Sequence, residues 1–63
     1  MPLVEISMYA GRTAGQKREL AEVITREMQR ICGAKPSATT IIFTDVKPED
    51  WMNGASLVEA AKG

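Results

Sequence analysis

A chain of 63 residues that holds one cysteine and no histidine has to stabilise a very small fold without the usual staples. A domain of this length hides only ~60% of the surface its unfolded chain exposes. Small domains make up the deficit with disulfides, a bound metal or self-association. One cysteine cannot close a disulfide within the chain, and without histidine there is little to ligate a metal. Self-association remains, so we expect one domain over residues 1–63 whose apolar surface is partly shared with neighbouring subunits. An apolar content of 44%, with one each of Phe, Trp and Tyr, fits a compact aliphatic core. Eight basic and eight acidic residues cancel. With no basic run either, nothing argues for a nucleic-acid groove or an anionic membrane surface as partner. No apolar stretch is long enough to cross a bilayer, and the first residues lack the basic and apolar regions of a secretion signal. A cytoplasmic location is expected. Cys32 falls at the end of a predicted helix, the wrong end to stabilise a thiolate, and reads as a reduced structural residue.

Residues 3–9 alternate, with Val4, Ile6 and Met8 on one side and Leu3, Glu5, Ser7 and Tyr9 on the other, which predicts a strand. Ala10-Gly11-Arg12 breaks that period. Thr13-Ala14-Gly15-Gln16 then has the form of a capping box, in which the threonine and glutamine side chains satisfy free backbone donors at a helix start. Leu20, Val23, Ile24, Met28 and Ile31 recur at spacings of three and four, the stripe of an amphipathic helix. Gly33 supplies its stop. Lys35-Pro36-Ser37 reads as a connector, and the β-branched run Thr39–Val46 as a second strand. The unit is therefore α/β (α+β): a single β-α-β subunit whose intervening helix lets the two strands run parallel. Trp51-Met52-Asn53-Gly54 is a turn signal, from which a short C-terminal hairpin or loop is expected, then weak helix or coil from Leu57 to Ala61. Two strands leave open edges, a second reason to expect pairing between subunits.

Pro2 carries the most distinctive chemistry. An internal proline nitrogen is an amide with no proton to give or take, but removal of Met1 would leave a secondary amine at the chain's start. An α-amino group titrates near ~8, and apolar surroundings disfavour its charged form. Such a terminus is neutral near pH 7, as a general base requires. Proline is also common at position 2 for no catalytic reason, and on this residue alone that plainer reading prevails.

Taken together, Pro2 after the initiator, Gly11-Arg12-Thr13 ending the first strand, Gln16-Lys17 opening the helix and Ile41-Ile42-Phe43-Thr44 in the second strand resemble the 4-oxalocrotonate tautomerase family. The likeness runs over nearly the whole chain as far as Trp51. It implies a β-α-β subunit whose dimers assemble into a hexamer, a trimer of dimers. It also implies cofactor-free enol-to-keto tautomerisation of 2-hydroxydienoate acids in aromatic compound catabolism. On this resemblance Pro2 is the general base and acid. Arg12 matches the arginine that grips a substrate carboxylate, for which a planar guanidinium is suited. Trp51 falls at the family's aromatic position, an apolar wall. Thr40 stands where the family has a second arginine, and its neutrality removes a charge-assisted contact worth roughly 1.5 to 3 kcal/mol. Met52-Asn53-Gly54-Ala55 replaces the family's Gly-Ile-Gly-Gly stretch. Both departures point away from 4-oxalocrotonate as the substrate. Lys17, Lys35 and Lys47 read as solvated charges.

Extended residues advance ~3.3 Å each, which puts Pro2 and Arg12 about 25 Å apart in one chain. If both act on one small carboxylate substrate, the arginine comes from a neighbour or the chain folds back sharply. The sequence thus predicts a homo-oligomeric, cofactor-free tautomerase of a small 2-keto acid. Two alternatives fit the same residues: a proline-dependent hydratase or dehalogenase of a small unsaturated acid, and a non-catalytic subunit of a hetero-oligomeric tautomerase.

Overall fold

The alternating segment forms the first strand, β1, over Leu3–Tyr9 in the computed structural model, which describes residues 1–54. A helix, α1, follows over Ala14–Cys32, and the second strand, β2, covers Thr40–Val46. The two strands pair in parallel, with Leu3 opposite Thr40, Ile6 opposite Phe43 and Tyr9 opposite Val46. Two backbone bonds lengthen the ladder at its ends: Thr40 N–H donates to the Pro2 carbonyl at 3.0 Å, and Ala10 N–H to the Val46 carbonyl at 3.0 Å.

Local chemistry sets the helix boundaries. At the start, Gln16 N–H donates to Thr13 Oγ1 at 3.1 Å while Thr13 N–H donates to Gln16 Oε1 at 2.9 Å. This reciprocal capping box satisfies two donors that the first turn leaves free. At the end, Gly33 adopts φ 71° and its N–H reaches the Gln29 carbonyl at 3.0 Å. A residue without a Cβ enters that left-handed conformation without steric cost. Near the last turn Arg30 donates to both carboxylate oxygens of Glu27, at 2.7 and 3.0 Å. That hydrogen bond holds the Glu27 carboxyl below its ordinary range. The small stabilisation it gives is present above the unfolded carboxylate pKa and is lost as pH falls through the lowered one.

Both connections around β2 contain a short 3₁₀ turn that the sequence pattern did not predict. Pro36–Ala38 precedes the strand and Pro48–Asp50 follows it. In each a lysine precedes the proline, which sits at the first position of the turn, where its missing N–H goes unneeded. The hairpin expected after Trp51-Met52-Asn53-Gly54, and the helix or coil from Leu57 to Ala61, lie outside the described residues.

One face of the sheet carries Val4, Ile6, Met8, Ile41 and Phe43, all half-buried. The Lys17–Asp45 ion pair at 2.7 Å places α1 against this face. The other face carries Leu3, Glu5, Ser7, Thr40, Ile42 and Thr44, all exposed. Leu3 is 57% and Ile42 45% accessible, and on the helix Ile31 reaches 67%. Among the described residues no side chain is fully buried. A fold without a closed interior depends on mass action, because whatever covers these surfaces binds the folded form only. The thermal midpoint is therefore expected to rise by about 5 °C or more as protein concentration increases a hundredfold. Calorimetry across that range checks this; a midpoint independent of concentration would mean that the isolated chain is self-sufficient.

Candidate active site

The candidate residues lie at the two ends of the parallel sheet. At the end where both strands begin, Pro2 is half-buried and its carbonyl is held by the Thr40 N–H. The strand register thus brings Pro2 and Thr40 together. Met1 projects fully into solvent, so its removal would free the Pro2 nitrogen without uncovering packed surface.

At the other end the chain leaves β1 through Gly11, whose φ of 121° is open to glycine and rarely to other residues. That turn delivers Arg12 just ahead of the Thr13 cap. Arg12 lines a concavity of about 170 Å³ together with Met8, Gln16, Lys17 and Leu20. Of its two cations, Lys17 is bound to Asp45 at 2.7 Å. Arg12 makes no ion pair among the described residues. Trp51 reaches this end by another route: the 3₁₀ turn at Pro48–Asp50 closes with Trp51 N–H donating to the Pro48 carbonyl at 3.2 Å. The indole then meets the Tyr9 ring edge to face, with centroids 5.1 Å apart and planes at 70°. Tyr9, Val46 and Trp51 are all half-buried, in contrast to the bare remainder of that sheet face.

Pro2 and Arg12 are not brought together. The length of β1 separates them, about 20 Å for seven strand residues. One chain holds Pro2 at one end of the sheet and Arg12 at the other. The sequence reading also missed Tyr9. Its alternation placed it on the correct face, but nothing local links it to Trp51, which returns to it from the far side of β2. Lys17, read as a solvated charge, is a half-buried tie between α1 and β2. Among the described residues no group of three or more His, Cys, Asp or Glu side chains could hold a metal ion, and no helix is long and apolar enough to cross a membrane.

A β-α-β subunit with parallel strands, a proline at the head of the first and an arginine just past its end defines a tautomerase-like class of fold. The chain belongs to the tautomerase family: the model of that family, described as tautomerase enzyme, matches residues 2–61. It is 35% identical over 57 residues to a probable tautomerase of Ralstonia nicotianae, covering 90% of this chain and 88% of that one. It is 33% identical over 51 residues to the 2-hydroxymuconate tautomerase of Comamonas testosteroni, covering 81% of each. The solved structure of a heterohexamer 4-oxalocrotonate tautomerase from Chloroflexus aurantiacus matches with a TM-score of 0.81 at 30% identity, covering 94% of this chain and 97% of that one.

Lys17 tests how the cations divide their roles. Its pair with Asp45 is partly solvated, so Lys17→Met is expected to cost no more than about 1 kcal/mol in urea unfolding at low salt. The difference from the parent should shrink as salt screens the pair. A cost that salt leaves unchanged would show that the lysine stem, not its charge, ties helix to strand.

Proposed function

We propose that the protein is a cofactor-free tautomerase that interconverts the enol or dienol and keto forms of a small 2-keto acid, with Pro2 as general base and acid once Met1 is removed. The observation that carries this reading is the position of Pro2: half-buried at the head of β1, its carbonyl fixed by Thr40 N–H at 3.0 Å, with only the solvated Met1 before it. The Pro2 nitrogen takes the proton from the 2-hydroxyl as the C2–O bond becomes a carbonyl. The electron pair moves along the conjugated chain, and the same N–H returns a proton to carbon. Atoms and electrons balance without a redox partner, and one group performs both transfers.

Arg12 receives the substrate carboxylate. Given the separation along β1, the Arg12 that serves a given Pro2 belongs to a neighbouring subunit of a homo-oligomer, a hexamer built as a trimer of dimers. Trp51 walls the site and keeps it apolar, which holds the amine neutral. Thr40 lines the site beside Pro2 and offers a hydroxyl where a cation would bind a second anionic group. The setting is cytoplasmic, within aromatic compound catabolism. A second reading is favoured by the neutrality of Thr40 and by the likeness to a heterohexamer enzyme: the chain is a non-catalytic subunit of a hetero-oligomeric tautomerase.

The test is the rate of ketonisation of 2-hydroxymuconate and of phenylenolpyruvate by protein shown by intact mass to lack Met1. Pro2→Ala should lower kcat by about 10²-fold or more. Protein that retains Met1 should be equally impaired, since its Pro2 nitrogen is an amide. Arg12→Gln should lower kcat/KM by about 10- to 100-fold through loss of a charge-assisted contact. No rate above buffer for either substrate with the single chain would favour the hetero-oligomer reading.

A further inference from the structure

We infer that Asp45 is a built-in counter-ion that an incoming carboxylate displaces from Lys17, so that Lys17 joins Arg12 as a second binding residue for that carboxylate. This rests on the proposed reading of Arg12 as the carboxylate receiver and adds two residues to it. Arg12 and Lys17 line one concavity of about 170 Å³, with Met8, Gln16 and Leu20 as the rest of its lining. Asp45 approaches from β2. It is the register partner of Met8 and so shares the sheet face on which Met8 lies, and its carboxylate accepts from Lys17 Nζ at 2.7 Å. Gln16 offers no charge, and its Oε1 already accepts from Thr13 N–H.

Two cations lining one small concavity repel each other, and the Asp45 carboxylate offsets that repulsion when no ligand is bound. The pair is unevenly exposed: the Lys17 side chain is 23% accessible and that of Asp45 43%. Asp45 can therefore turn to water at small cost, since a partly solvated pair is weakly held, whereas Lys17 stays between helix and strand. A ligand carboxylate that takes its place keeps the charge at Lys17 balanced and gains Arg12 as well. Binding then exchanges one anion for another at the lysine, and the affinity of the concavity is set by how readily Asp45 leaves.

The experiment titrates the protein lacking Met1 with butanoate at low salt and follows the amide NMR shifts of residues 11–17, with butanamide as the uncharged control. Asp45→Asn should bind butanoate about three- to fivefold more tightly than the parent, the range that release of a partly solvated pair supplies. Lys17→Met should bind it about tenfold more weakly. The double variant Lys17→Met/Asp45→Asn should match Lys17→Met, because without the lysine there is nothing for Asp45 to block. Butanamide should not distinguish the variants. In turnover, Asp45→Asn should lower KM for phenylenolpyruvate more than it changes kcat. Unchanged or weaker butanoate binding by Asp45→Asn, or a gain that persists in the double variant, would overturn the inference and leave the pair as a tie between helix and strand. Failure of the underlying reading is seen separately: Arg12→Gln with unaltered butanoate affinity would show that Arg12 is not the carboxylate receiver, whatever Asp45 does.

Discussion

Parallel pairing of two strands is the constraint from which the other features follow. Parallel strands need a long crossover, and in this chain α1 is spent on it. One helix covers one face of a two-stranded sheet, and sheets of parallel strands are ordinarily covered on both. The opposite face therefore stays bare at Leu3 and Ile42. Parallel pairing also separates the chemistry. The head of β1 meets the head of β2, so Pro2 acquires Thr40 as its neighbour. The residue after Gly11 emerges at the other end of the sheet, where the chain turns into α1. The geometry that leaves apolar surface uncovered thus also keeps Pro2 and Arg12 apart within one chain, which is why the proposed reading pairs them across subunits.

The charges around the two ends are sorted by what each is already bound to. Lys17 and Asp45 neutralise one another where helix meets sheet, and Glu27 and Arg30 do so within the helix. Among the described residues Arg12 has no such partner. A cation just ahead of a helix N-terminus is mildly unfavourable, and an anionic ligand relieves that cost. Thr40 has the reverse effect at Pro2. A guanidinium beside an amine disfavours the protonated form, and a threonine does not.

Much of the local structure was legible in the sequence. β1 and α1 lie where alternation, the Thr13–Gln16 capping box and Gly33 place them, because each signal acts within a few residues of the boundary it sets. The short turns at Pro36 and Pro48 were not legible in the pattern, although a proline can open a helical turn as readily as it closes a strand. The apolar stripe of α1 announced amphipathicity but not its cover. Ile24 and Met28 are half-buried, while Leu20, Val23 and Ile31 remain exposed, because a two-stranded sheet is narrower than the stripe. Of the candidate site, Pro2, Arg12, Thr40 and Trp51 stand out by residue type and position alone, and what the structure adds is where each lies on the sheet. The contact of Tyr9 with Trp51 could not be read there, since it forms only after β2 has paired and the chain has turned back.

The division of the site has a consequence for how such a protein changes its substrate. On the proposed reading, the end that holds Pro2 carries the proton chemistry and the end that holds Arg12 receives the substrate carboxylate. The length of β1 separates the two ends. A substitution at one, such as a threonine at position 40, need not disturb the packing at the other.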